Sequence, residues 1–295
     1  MTAPRQVLPG TTYLVTRRCS RRQFLLKPSK TTNDVVLYLL AVAAARFGIH
    51  VHAYCVLSNH LHLVLTDPQA RLPAFHQFLD ALIARALNAS VGRWEAFWAP
   101  NSYSAVTLDS PGDVLDKAAY VLANPAAAGL VASGRQWPGL WSAPEQIGGG
   151  AVTVRRPRHF FDPKGSLPEE AALEVRPPPG FASAEDFRGQ LLAALAEREA
   201  QAARDARGRF LGVARVLAQR PTGRPATEEP RRTLRPRVAA RDKWKRIEAL
   251  GRLAEFLSSY RAALSARRAG EQDVAFPCGT YLLRVAHGVP CIGFG

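Results

Sequence analysis

Two runs of β-type residues, at 49–58 and 60–67, are separated by little more than Asn59. Both runs are short and rich in apolar and β-branched residues, the composition that favours extended strands. A connection this short joins neighbouring antiparallel strands, because parallel strands need a crossover of a dozen or more residues. This pair constrains the fold more than any other feature, since it requires a sheet with a tight antiparallel connection.

The segments on either side complete a regular alternation of strands and helices. Residues 12–19 form a predicted strand, followed by a helix over 32–47 that opens with Thr and Asn residues and stops at Gly48. A second helix is predicted over 72–88 and a further strand over 102–108. The resulting order, β-α-β-β-α-β, predicts an α+β fold with a ferredoxin-like or RRM-like antiparallel sheet and helices on one face.

A third helix is predicted directly after this unit. Ser110 is a good N-cap and Pro111 fits the first helical position. The helix is expected to end near Asn124, because the proline at 125 disfavours the helical conformation in the residue before it. We therefore place a first domain at about 1–150.

The remainder, 151–295, is predicted to be a basic, largely helical C-terminal region. An alanine-rich helix capped by Ser183 is expected over 183–206, and an amphipathic helix over 243–264. Between them, residues 219–237 combine prolines with arginines and are predicted to be an extended basic linker.

The charge balance narrows the class of partner. The chain has 39 basic and 24 acidic residues, a formal net charge of +15, which favours a polyanionic partner such as a nucleic acid. No segment has the apolar length needed to span a bilayer or to act as a secretory signal, so a cytoplasmic, nucleoid-associated protein without a membrane partner is expected. The four cysteines lack the spacing of a metal cluster or a disulfide framework.

The strongest chemical motif is SNHLHLVL, at residues 58–65. Side chains alternate along a strand, so His60 and His62 share one face while the intervening leucines occupy the other. The two histidines are about 6.5–7 Å apart along the backbone, which allows both rings to reach one divalent ion. The alternatives are two ordinary polar histidines on an exposed sheet face, or one satisfied core histidine with a second histidine that has no role.

Tyr120 and Asn124 form the second part of the candidate site. At 100° per residue they lie together, almost opposite the apolar stripe of the third helix. A phenol in that position is suited to nucleophilic attack, and an amide oxygen one turn away is a suitable ligand for Mg²⁺ or Mn²⁺. The alternatives are a surface tyrosine and an asparagine that only ends the helix.

With these two motifs in this order, the chain resembles the HUH single-tyrosine transposases, especially the REP-associated tyrosine transposases. The resemblance covers about 10–135 and is carried by AYCVLSNHLHLVL and YVLANPAAAGLV. It implies that His60, His62 and Asn124 bind Mg²⁺ or Mn²⁺ and that Tyr120 attacks the DNA to form a 5′-phosphotyrosine link. It also implies a substrate of single-stranded DNA with small hairpins or palindromes. The chain departs from many relatives in having alanines at 126–128, where they carry a basic residue.

Two groups of arginines are predicted to contact DNA. The first follows the opening strand and the second belongs to the proline-arginine linker. They are Arg17, Arg18, Arg21 and Arg22 in the first group, and Arg231, Arg232, Arg235 and Arg237 in the second. For each group, a solvated charged surface is the alternative.

Three other readings remain open. One is an RRM-like nucleic-acid-binding protein without catalytic activity, and another is a domesticated, inactive transposase. The third, a nucleotide hydrolase with a longer alternating histidine motif, is disfavoured by the valine at position 64. The sequence leaves both a monomer and a homodimer open.

Overall fold

The computed structural model describes residues 4–100, 103–226 and 236–293. The strands are β1 Thr11–Arg18, β2 His50–Leu57, β3 His60–Asp67, β4 Ser104–Leu108, β5 Ala151–Arg155, β6 Glu170–Glu174 and β7 Val238–Ala239. The helices are α1 Lys30–Phe47, α2 Leu72–Ser90, α3 Pro111–Ala127, α4 Ala184–Asp205, α5 Val213–Leu217, α6 Lys243–Arg268 and α7 Leu282–His287. In the described part of the chain, none of the helices has the length and apolar character needed to cross a membrane.

The main sheet has five strands in the order β2-β3-β1-β4-β7. The first four are antiparallel to their neighbours, and β7 pairs with β4 in parallel. The element order β1-α1-β2-β3-α2-β4 and the resulting sheet confirm the predicted α+β, split β-α-β plan. β7 was not predicted and adds a fifth strand from the C-terminal region.

The two faces of the sheet carry different helices. On β3, Leu61 and Leu63 point to one face and His62 to the other, as strand alternation requires. Arg17, which lies on the leucine face of β1, forms an ion pair with Asp80 of α2. That contact places α2, with α1 packed against it, on the leucine face, whereas α3 packs against β2 and β3 on the histidine face.

Helix α3 begins as predicted but extends further. The Ser110 hydroxyl accepts a hydrogen bond from the Asp113 backbone N–H, and Pro111 is the first helical residue. The predicted end near Asn124 is wrong, because the helix continues through Pro125 to Ala127. In the turn that precedes Pro125, the indole N–H of Trp141 donates to the Leu122 carbonyl at 2.9 Å.

The Trp141 ring leaves no room for a side chain at Gly134. A Cβ atom there would lie 2.6 Å from the Trp141 ring and 2.8 Å from the Leu122 carbonyl oxygen. We therefore expect Gly134→Ala to lower the free energy of unfolding by about 1–3 kcal/mol, through overpacking and loss of the bond to α3. Urea unfolding would measure this change.

Gly189→Ala is the matched control for that measurement, because a Cβ at this helical position meets no heavy atom of a described residue within 4 Å apart from its own helix backbone. It should stabilise the protein by up to about 1 kcal/mol through the higher helix propensity of alanine. Equal effects of the two substitutions would contradict the packing account.

The C-terminal region packs partly on the same core as the sheet. Helix α4 begins after Ser183, in agreement with the helix predicted over 183–206, and it packs along α3. Leu173, Phe187 and Val216 belong to one hydrophobic cluster with the sheet residues. The small sheet formed by β5 and β6 packs on α1 and was not predicted. A division of the chain at residue 150 remains a prediction.

Candidate active site

His62 is held by one ring nitrogen and presents the other. It is 4% exposed, and its Nδ1 lies 2.8 Å from the hydroxyl of Thr16 on β1. Its Nε2 is buried and has no hydrogen-bond partner among the described residues. Burial lowers the pKa of the His62 imidazole well below its usual range, and His60 and Arg18 lower it further. The ring is therefore neutral, and when Nδ1 donates to Thr16, Nε2 carries a lone pair that accepts no hydrogen bond from a described residue.

His60 is oriented in the same way. Its Nδ1 lies 2.6 Å from the side-chain oxygen of Asn59. The Asn59 amide nitrogen donates to the Arg22 carbonyl, which turns the amide oxygen toward His60 and makes Nδ1 the donor. The centroids of the two imidazole rings are 4.7 Å apart, and the rings are nearly perpendicular.

Tyr120 reaches the histidines from α3. The centroid of its ring lies 5.6 Å from that of His62, in an edge-to-face contact. The side chain is 37% exposed, and no described residue forms a hydrogen bond with its hydroxyl. The structure thus brings together the His-x-His strand and the tyrosine helix, two motifs about 60 residues apart.

Asn124 lies one helical turn after Tyr120 and is mostly buried. Its backbone carbonyl accepts a hydrogen bond from Ala128. Its side chain makes no hydrogen bond with another described residue, which leaves the amide oxygen available. Its predicted role as a ligand remains a prediction.

The donor atoms at this site suit a divalent cation. Two imidazoles, each held through Nδ1 by a neighbouring oxygen, have the arrangement of metal-binding histidines with their supporting contacts. The described residues contain no cluster of three or more His, Cys, Asp or Glu side chains, so further ligands would have to be of another type, such as an amide oxygen, a phosphate or water. Two nitrogen donors suit Mn²⁺ better than Mg²⁺, which prefers oxygen.

The predicted DNA-binding arginines of the first group do not all lie on the same side of the sheet. Arg18 is exposed, lies opposite His60 on the neighbouring strand and shares its face. Arg21 and Arg22 follow in left-handed conformations in the adjoining turn. Arg17 points to the opposite face, where it contacts Asp80 and the Ala99 carbonyl and is mostly buried.

In the second group, Arg237 directly precedes β7, and its carbonyl accepts a hydrogen bond from Thr107. Arg231, Arg232 and Arg235 lie outside the described residues.

The two histidines of β2 are not part of this cluster. His52 is buried, and its two ring nitrogens contact the Arg176 carbonyl and the Thr66 hydroxyl. Burial lowers the pKa of His52 to about 4, consistent with a neutral side chain that links the sheet to the C-terminal region. His50 lies at the start of the same strand, in the field of Arg176 and Glu174.

Thr16 and Asn59 were not predicted from the sequence. Asn59 adjoins the motif and could have been considered as a partner for His60. Thr16 becomes a candidate only once the register is known, because β1 pairs with β3 so that Thr16 lies opposite His62.

Two solved structures with transposase descriptions are similar to the chain. One, described as a REP-associated tyrosine transposase bound to a REP hairpin, has 16% sequence identity and a TM-score of 0.42 over 55% of this chain and 88% of the other. The second, provisionally assigned as a transposase of Deinococcus radiodurans R1, has 22% identity and a TM-score of 0.29 over 37% of this chain and 88% of the other. No family model matches the sequence, and the search of curated proteins finds no match.

Proposed function

We propose that the protein is a metal-dependent endonuclease and strand transferase that acts on single-stranded DNA, as a transposase does. One observation carries the proposal: the Nε2 of His62 is buried without a hydrogen-bond partner among the described residues, and its ring contacts the partly exposed Tyr120. Transfer of a phosphoryl group to a side chain needs a bound cation and a nucleophile close to each other. The motif resemblance supports the same activity.

His60 and His62 would hold the cation, with Asn124 as the proposed third protein ligand. When bound, a divalent cation draws charge from the scissile phosphate and favours the ionised phenol. Thr16 and Asn59 would keep both imidazole rings turned toward the ion. Because β3 is paired on both sides, by β2 and β1, the histidine pair has little freedom to move.

Tyr120 would supply the nucleophile. Its phenol loses a proton to solvent, and its oxygen bonds to phosphorus while the bond to the 3′ oxygen of the preceding nucleotide breaks. The departing oxygen takes up a proton and becomes a free 3′-hydroxyl, and the following strand remains attached through a 5′-phosphotyrosine. Attack by a 3′-hydroxyl reverses the step and rejoins the DNA, so the ester bond is conserved rather than hydrolysed.

The charge of the chain fits a DNA substrate. A net charge of +15 neutralises phosphates and releases counterions on binding. Arg18, Arg21 and Arg22 adjoin the His60 end of β3, where a strand entering the site would pass. Hairpin or palindromic elements are the proposed substrates.

A pool of hairpin oligonucleotides with single-stranded flanks tests the proposal. The full-length protein is incubated with Mn²⁺ and the pool, labelled either at the 3′ end or at the 5′ end, and run on a denaturing gel. We expect the 3′ label to migrate with the protein and the 5′ label to appear on a shortened free strand, both only with metal. Free cleavage products with no adduct would contradict a tyrosine nucleophile, and intact DNA throughout would contradict the activity.

A further inference from the structure

A cavity of about 540 Å³ lies between α3 and α4, beside the candidate nucleophile. We call it the α3–α4 cavity; its lining includes Tyr120, Ala123, Ala127, Arg198, Gln201 and Arg209. Its volume is within the range of small-molecule sites. Neither His60 nor His62 lines it, so Tyr120 has the histidines on one side and this cavity on another.

Two arginines from α4 and the segment after it reach the α3–α4 cavity. Arg198 is held by an ion pair with Asp116, one helical turn before Tyr120, at 2.5 Å. Arg209 lies in a segment fixed to the end of α3, because the backbone N–H groups of Leu211 and Gly212 donate to the carbonyls of Gly129 and Leu130. Guanidinium groups from two points of the chain therefore line the cavity, and that of Arg198 is already paired with Asp116.

Asp205 is an acidic residue that also lines the cavity. The carboxylate of Asp205 accepts a hydrogen bond from the Gln201 amide at 2.7 Å. Arg209 makes no side-chain hydrogen bond or ion pair with a described residue. The guanidinium of Arg209 therefore has donors available for an anion.

The α3 side of the cavity is formed by small residues. Ala123, Ala126, Ala127, Ala128 and Gly129 line it. They leave space for a flat ring and present apolar surface to it, whereas longer side chains at these positions would fill the cavity. The combination of an apolar wall with arginines at the opposite side matches the two parts of a nucleotide, its base and its phosphate.

We infer that the α3–α4 cavity binds the nucleotide next to the phosphate that Tyr120 attacks, with the base against the alanine wall and the backbone phosphate at Arg198 and Arg209. This inference rests on the proposed function. A strand that presents a phosphate to Tyr120 must run its neighbouring nucleotide past the surroundings of that side chain, and the cavity lies there. The cavity would therefore contribute to the choice of cleavage position.

The phosphate contact is tested by Arg209→Ala, with Arg207→Ala as the matched control. Arg207 is exposed in the same segment but does not line the cavity. Binding of a single-stranded oligonucleotide is measured without metal over a range of salt concentrations. We expect Arg209→Ala to raise the Kd about 10-fold and to reduce the salt slope by about one phosphate contact. Equal effects of the two substitutions would overturn the assignment of Arg209.

The base contact is tested by moving a single abasic site through the oligonucleotide. For the wild type, we expect the abasic site at one position beside the cleaved phosphate to weaken binding by about 10-fold, the value of one stacked base. Ala127→Trp places a ring in the cavity from an exposed helical position, so it should weaken binding of the intact strand and abolish the abasic effect at that position alone.

The two proposals fail in different ways. If covalent adduct forms but Ala127→Trp leaves the abasic effect unchanged, the cavity inference is wrong and the nuclease proposal stands. If the abasic effect depends on Ala127 but no adduct forms, the cavity binds a nucleotide and the nuclease proposal is wrong. Absence of any position-dependent abasic effect overturns the cavity inference.

Discussion

Replacing Tyr120 with phenylalanine should abolish the denaturation-resistant adduct between protein and DNA, with a fall in strand cleavage of about 10³-fold or more. The substitution removes only the phenolic oxygen, which makes no hydrogen bond with a described residue. The ring contact with His62 is retained, so the fold and the affinity for DNA should change little. Covalent product is measured on a denaturing gel, and affinity by equilibrium binding of the same oligonucleotide.

Tyr260→Phe is the control for this experiment. Tyr260 lies on α6 and packs against Phe256 and Phe276, in a different hydrophobic cluster. The Tyr260→Phe substitution should leave adduct formation unchanged. Adduct formation by the Tyr120 variant at the wild-type rate would show that another group attacks the DNA, and loss of DNA binding in that variant would indicate a structural role for the hydroxyl.

Replacing His62 with glutamine should remove metal-dependent cleavage, with a fall of about 10²-fold or more in the rate and at least about 10-fold weaker binding of Mn²⁺. Glutamine keeps a polar group near the Thr16 hydroxyl, which limits the loss of stability, but it does not reproduce a neutral ring nitrogen. Binding of Mn²⁺ is followed by calorimetry on the protein alone, so this readout does not depend on activity. Chelation of the metal should have the same effect on the wild type.

His50→Ala is the matched control, because His50 lies on the strand next to β3 but outside the cluster with Tyr120. It should bind Mn²⁺ as the wild type does. If both substitutions weakened Mn²⁺ binding equally, the histidines of β2 and β3 would bind the ion without a defined site. Unchanged binding in His62→Gln would contradict the role of His62 as a ligand.

Much of this fold could be predicted because its signals are local. Alternation in residues 60–67 determines which side chains share a face, and Ser110 and Gly48 mark helix ends through their own backbone preferences. The elements that were missed depend on distant partners. β7 has only two residues, and β6, with the sequence EAALE, consists mainly of helix-favouring residues that become extended through pairing with β5.

The same holds for the candidate site: the residues that local patterns identify were predictable, and their partners on other strands were not. His60 and His62 follow from strand alternation and Tyr120 from helical spacing, and the structure brings all three together. The partners that orient the rings depend on register, which sequence alone does not provide for Thr16. The four arginines were grouped because they are close in sequence. Side chains alternate along a strand, however, so Arg17 and Arg18 point to opposite faces of β1.

The most direct test of the central claim is to identify the amino acid that becomes linked to DNA. The adduct formed with Mn²⁺ is digested with trypsin and nuclease, and the modified peptide is sequenced by mass spectrometry. We predict a nucleotide joined through its 5′ phosphate to Tyr120, in the peptide that follows Lys117. A nucleotide attached to any other residue, or attached through its 3′ phosphate, would contradict the account.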